Sequence, residues 1–74
     1  MSVSNSLAGT SIGYEFGANH DAHWGGFCRA LDEAQQECQA IADGPLFWQE
    51  DLPGEWEAVD PETGTVFEIS AREY

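Results

Sequence analysis

Between Ser11 and Phe16 the chain alternates, with Ile12, Tyr14 and Phe16 apolar or aromatic and Ser11, Gly13 and Glu15 small or polar. A period of two predicts a strand with one face buried. Residues 1–10, rich in Ser, Asn, Gly and Thr with isolated Val3 and Leu7, show no period. They read as a loose arm ahead of a single domain over residues 11–74. Residues 17–26 are punctuated by Asn19, Asp21 and the Gly25-Gly26 pair and read as a loop. After them the period changes. Phe27, Leu31, Ala34, Cys38 and Ile41 recur at steps of four, three, four and three, which puts them on one stripe of a helix. Gln35, Gln36 and Gln39 fall on its wet side, and Gly44 with Pro45 ends it.

Beyond the helix, Leu46-Phe47-Trp48 is too short to assign, and Asp51-Leu52-Pro53-Gly54 reads as a turn. Two alternating runs follow, residues 55–60 and 65–71, joined by Pro61-Glu62-Thr63-Gly64. Proline presets the second position of a turn and glycine accepts the left-handed conformation at its end, so this segment predicts a hairpin. Trp56, Ala58, Phe67, Ile69 and Ala71 are expected inside, and Glu55, Glu57, Glu68 and Ser70 outside. The order strand, helix, hairpin predicts an α+β domain in which one helix packs on a three- or four-stranded antiparallel sheet.

Composition sharpens this picture. A chain of 74 residues has room for one small core, but at 42% apolar, with Trp 3, Tyr 2 and Phe 4, it is too greasy for a disordered acidic tail. Asp and Glu number 14 against two arginines and no lysine, giving a formal net charge of -12. Nucleic acids and anionic membranes are bound by Lys and Arg displacing counterions, so direct binding to either is excluded. No apolar run reaches the ~18 residues of a spanning helix. Residues 1–10 also lack the basic start and apolar stretch of a secretory signal, which leads us to expect a cytoplasmic protein. The charge is uneven. Through residue 31, Glu15 and Asp21 stand against Arg29, a net of -1, so of the total of -12 the remainder, -11, lies in residues 32–74.

Familiar reactive constellations are missing. Cys28 and Cys38 both fall on the predicted helix, ten residues and therefore roughly 15 Å apart, too far for a disulfide, and are expected as reduced, buried apolar side chains. His20 and His23 have a suitable ligand spacing, but the two cysteines on one rod do not complete a structural zinc site, so no metal is expected. There is no glycine-rich phosphate cradle, no nucleophile elbow, no lysine and little chain with which to wall off a pocket. The expectation is a protein without enzymatic activity, catalytic residues or cofactor.

The acidic residues remain. Glu57 and Glu68 are expected side by side on the outer face of the hairpin, and Glu33 and Glu37 stack at i and i+4 on the helix. Both arrangements cost stability unless something outside the protein neutralises them. Glu55 and Glu57 on one strand face are about 6.8 Å apart, and an i, i+4 helix pair about 6 Å. Successive phosphates of one DNA strand are roughly 7 Å apart. A rigid strand or helix therefore holds carboxylates in phosphate-like rows.

In size, charge, absence of lysine and clustering of acids over residues 32–68, the chain resembles the small acidic anti-CRISPR and anti-restriction proteins of phages, many of which mimic DNA. That resemblance implies a non-enzymatic inhibitor in the host cytoplasm. Its partner would be a basic nucleic-acid-binding complex, a CRISPR effector or a restriction enzyme, whose Lys/Arg-lined channel it occupies. The residues expected to meet that partner are Asp32, Glu33, Glu37, Glu55, Glu57, Asp60, Glu62 and Glu68, with Trp48 as an aromatic anchor. The alternative is a small acidic adaptor that docks through the aromatic segment 46–56, its acidity serving solubility. A housekeeping domain of a salt-adapted cytoplasm would also favour Asp and Glu over Lys.

Overall fold

A computed structural model of the chain describes residues 11–73, so the arm expected over residues 1–10 lies outside the described residues. The elements are β1 (Ile12–Ala18), β2 (Asp21–Cys28), α1 (Leu31–Ile41), β3 (Gln49–Leu52), β4 (Glu55–Val59) and β5 (Val66–Glu73). The strands form one five-stranded sheet in the order β2-β1-β5-β4-β3, with every neighbouring pair antiparallel. The single helix lies against one face, which makes this the expected α+β domain with one or two more strands than the sequence pattern gave. No helix among the described residues is long and apolar enough to cross a membrane.

The extra strands come from segments in which the alternation is broken. β2 occupies what reads as a loop because glycine is required inside it. Gly25 sits at φ 154°, and a Cβ there would run into the carbonyl oxygen of Phe16 on β1. A bulge between Gly17 and Ala18 then lets Asn19 and His20 turn the chain. β3 holds only Gln49–Leu52, all exposed, and joins β4 through Pro53 and Gly54. The expected β4–β5 hairpin is present, with Gly64 at φ 80°.

The helix is shorter than its apolar stripe. It begins at Leu31, so Phe27 and Cys28 belong to β2 rather than to the helix. Phe27, paired with Glu15 across the sheet, lies over Gly13 on the face that the helix does not touch. Asp32 and Glu33 occupy the first turn, where the positive end of the helix dipole favours acids. Ala34 and Cys38 are its buried residues, and Ile41 is half exposed at its end.

Phe16, Phe67, Ile69, Ala58, Ala34, Cys38 and Leu46 form the core. Burial of Phe67 and Ile69, each under 3% exposed, is worth about 1.5–3 kcal/mol apiece. Trp24 packs edge-on to Phe67 at 5.7 Å and against Phe16 at 5.3 Å, while Tyr14 meets Trp56 at 5.8 Å, closing the two sides of the core. Of the residues expected inside the hairpin, Ala58, Phe67 and Ile69 are buried and Trp56 and Ala71 half-buried; Glu55 and Glu68 are exposed as expected.

Candidate functional site

One helix cannot cover both faces of a five-stranded sheet, and the face turned away from α1 carries the acids. Strand alternation places Glu15 of β1, Glu55 and Glu57 of β4 and Glu68 of β5 there, and the register aligns Glu57 with Glu68. Asp51, at the irregularity of β3 between Glu50 and Leu52, joins them around a cleft of about 160 Å³ lined also by Glu55 and Ser70. The electrostatic consequence falls on Glu57. Asp51, by its charge and by hydrogen bonding, raises the Glu57 pKa above the ordinary carboxyl range, and partial burial and the charge of Glu68 add to the effect. The strands hold a single Lys or Arg, Arg72, whose Nε donates to Glu15 Oε1 at 3.1 Å. Both side chains of that pair are more than half exposed, so it adds at most about 1 kcal/mol.

A second, wider depression of about 610 Å³ lies over β1 and β2 on the same face. Its floor is glycine. Gly17 pairs with Gly25 on one side and Glu68 on the other, so the row of side chains running Glu57, Glu68 stops there and leaves a trough. Glu68 and Ser70 border both depressions and form the ridge between them.

The residues expected from sequence divide into three groups. Glu55, Glu57 and Glu68 come together on the uncovered face. Asp32, Glu33 and Glu37 are exposed on α1, the opposite layer of the molecule, so helix and sheet present two acidic surfaces and not one stripe. Glu62 is exposed in the β4–β5 turn. Asp60 is buried away from a partner's reach, and Trp48 is only partly exposed. Asp60 is 1% exposed and serves as the anchor of its turn. Its Oδ1 accepts from the amides of Glu62 at 2.9 Å and Gly44 at 3.0 Å, and its Oδ2 from the amide of Asp43 at 2.8 Å and the hydroxyl of Thr63 at 3.1 Å. Burial alone would raise its pKa. The donors from Glu62, Asp43, Thr63 and Gly44 outweigh that and hold the carboxyl below its usual range. Trp48 is half-buried against the core, whereas its neighbour Phe47 is 78% exposed.

Glu15 and Asp51 belong to the acidic face and were not among the expected residues. For Glu15 a signal existed in the alternation of Ile12, Tyr14 and Phe16, but its membership requires β1 to lie beside β5. Asp51 had no such signal, because its place follows from a hairpin, β3–β4, that only the fold reveals.

The cysteines also move. Cys28, on β2 opposite Tyr14, lies near enough to Cys38 on α1 to raise the Cys38 pKa, yet both are free thiols. Burial, with Cys28 and Glu37 adding, pushes the Cys38 thiol up to about 12. Burial and the charges of Glu33 and Glu37 also raise Cys28. Neither is an activated nucleophile. Among the described residues, no three His, Cys, Asp or Glu side chains gather into a metal-ligand set. Compared with protein-family models, curated proteins and solved structures, the chain matches none of them.

Proposed function

We propose that this protein is a non-enzymatic inhibitor that presents its carboxylates to the Lys/Arg-lined site of a nucleic-acid-binding complex, of the anti-CRISPR or anti-restriction type, and excludes the nucleic acid by competition. The observation that carries this reading is the gathering of Asp51, Glu55, Glu57 and Glu68 on a sheet face that no element among the described residues covers. Like charges crowded on adjacent strands oppose folding of the free protein, in keeping with the upward shift of the Glu57 pKa, due first to Asp51 and last to Glu68. A basic partner reverses the sign of that term. Its lysines and arginines would compensate the carboxylates as they compensate phosphates. Repulsion of nucleic acid by the same surface makes the protein a competitor and not a bridge.

The test is competition between this protein and labelled duplex DNA for purified CRISPR effectors and restriction enzymes, at several salt concentrations. Displacement of DNA that weakens steeply with salt, and that disappears when Glu55 and Glu57 are both changed to Lys, is the expected result. Undiminished displacement by that double variant at high salt would remove the carboxylates from the mechanism.

A second reading, a small acidic adaptor docking through residues 46–56, is favoured by Phe47 at 78% and Leu52 at 60% exposure. In that case Phe47, rather than the half-buried Trp48, is the anchor. Changing Phe47 to Ala would abolish capture of the partner while the charge reversal left it intact.

A further inference from the structure

We infer that the occupant of the glycine-floored trough on the uncovered sheet face is an arginine side chain of the partner protein, with its guanidinium held beside Glu68. This rests on the reading of a basic partner and says which of the two acidic surfaces is used and by what. Of the two glycines on its floor, Gly25 is fixed by the backbone and Gly17 is not. Gly17, next to last in β1 and just before its bulge, has no positive φ, and a Cβ built on it would meet only the Trp24 carbonyl oxygen, at the ordinary contact distance of 3.5 Å. The fold accepts a side chain at position 17 and leaves the space open, although glycine inside a strand weakens it.

Charge and shape agree on the occupant. The trough of about 610 Å³ is bordered by Glu15, Asp21 and Glu68, with Arg72 drawn to one side by its 3.1 Å contact with Glu15. The ring of Phe27, 49% exposed, forms part of its wall. A planar, weakly hydrated guanidinium offers a fork of donors to a carboxylate and tolerates a partly apolar wall, whereas an ammonium needs its water. The helix surface bearing Asp32, Glu33 and Glu37 borders neither of the two depressions and offers a cation only solvated contact. The second depression, across the Glu68 and Ser70 ridge, places Asp51 and Glu57 within reach of a neighbouring basic residue on the same segment.

The test is an NMR titration of the isotopically labelled full chain with nona-arginine, and in parallel with nona-lysine, at about 0.15 M salt, where non-contact attraction is screened beyond about 8 Å. Amide signals of Gly17, Gly25 and Glu68 are expected to move and those of Asp32, Glu33 and Glu37 to stay, with nona-lysine binding severalfold more weakly. Gly17→Val, which fills the trough, is expected to weaken nona-arginine about tenfold. Glu68→Gln, an exposed change that spares the backbone, is expected to weaken it as well and carries the test if the valine variant does not fold. Shifts confined to the helix would overturn the trough while leaving a basic partner in place. Absence of shifts on either surface would overturn both readings. Equal binding of the two peptides, or unchanged affinity in folded Gly17→Val, would remove the arginine from the trough.

Discussion

The Oδ2 of Asp60 accepts a hydrogen bond from the backbone amide of Asp43 at 2.8 Å, tying the chain that leaves α1 to the turn between β4 and β5. Three further donors complete the shell, the amides of Gly44 and Glu62 and the hydroxyl of Thr63. Asp60→Ala is expected to lower the thermal midpoint, because it strands the buried amide of Gly44 and removes the acceptor of the part-buried amides of Asp43 and Glu62. The pH dependence follows from the sign of the shift. A carboxyl held low in the folded state contributes stability above its unfolded pKa, and that contribution is lost as pH falls through the folded value. Acid titration followed by circular dichroism should show unfolding on the acid side of the ordinary aspartate range, and an Asp60→Asn protein should lack that component.

Glu57 carries the opposite sign. Its pKa is raised by Asp51 and then by Glu68, so its ionised form opposes folding at neutral pH and the opposition fades as pH falls through the raised value. Glu57→Gln is expected to increase the thermal midpoint at pH 7, with the difference from the parent shrinking as the pH is lowered. Equal midpoints for parent and variant at pH 7 would show that Asp51, Glu57 and Glu68 do not repel one another.

Gly17→Val should raise stability by about 0.5–1 kcal/mol, since valine fits a strand interior and a Cβ there meets nothing closer than ordinary contact. Gly25→Val should unfold the protein instead, because the Phe16 carbonyl oxygen occupies the place of its side chain. Chemical denaturation of the two variants separates a glycine required by the backbone from one that only leaves space.

Alkylation separates the two thiols. With a pKa of about 12, Cys38 has only about one molecule in ten thousand as thiolate at pH 8, and it is fully buried in the core. Mass spectrometry after iodoacetamide treatment of the native protein should find Cys28 modified first and Cys38 modified only on unfolding. Rapid modification of Cys38 would mean that α1 separates from the sheet in the native state.

What the sequence made legible follows from how strictly each segment kept its period. The β4–β5 hairpin alternates without interruption and carries Pro61 and Gly64 at its turn, so its register, its inward residues and the placing of Glu57 against Glu68 were all readable. β2 was not, because Gly25 and Gly26 are strand residues for steric reasons that arise only once Phe16 lies opposite. Phe27 happens to stand four residues before Leu31, and helical spacing therefore claimed a residue that points the other way. Asp60 reads as one more surface acid, since nothing local announces that the chain after α1 will bring two amides to it. Of the acidic site, the part on one hairpin was visible and the part contributed by neighbouring elements was not.

The middle of the sheet is built from the two ends of the described chain. β1 is held between β2 and β5, and its pairing of Ile12 with Glu73 spans nearly every residue between them. Folding therefore has a high contact order, and the loop-closure entropy of that pairing must be met before the core gains from it. On the ribosome, the hairpins β1–β2 and β3–β4 emerge early with no central strand to join them. The acidic face and its trough cannot exist until Val66–Glu73 has left the exit tunnel, and they then form together in one late step.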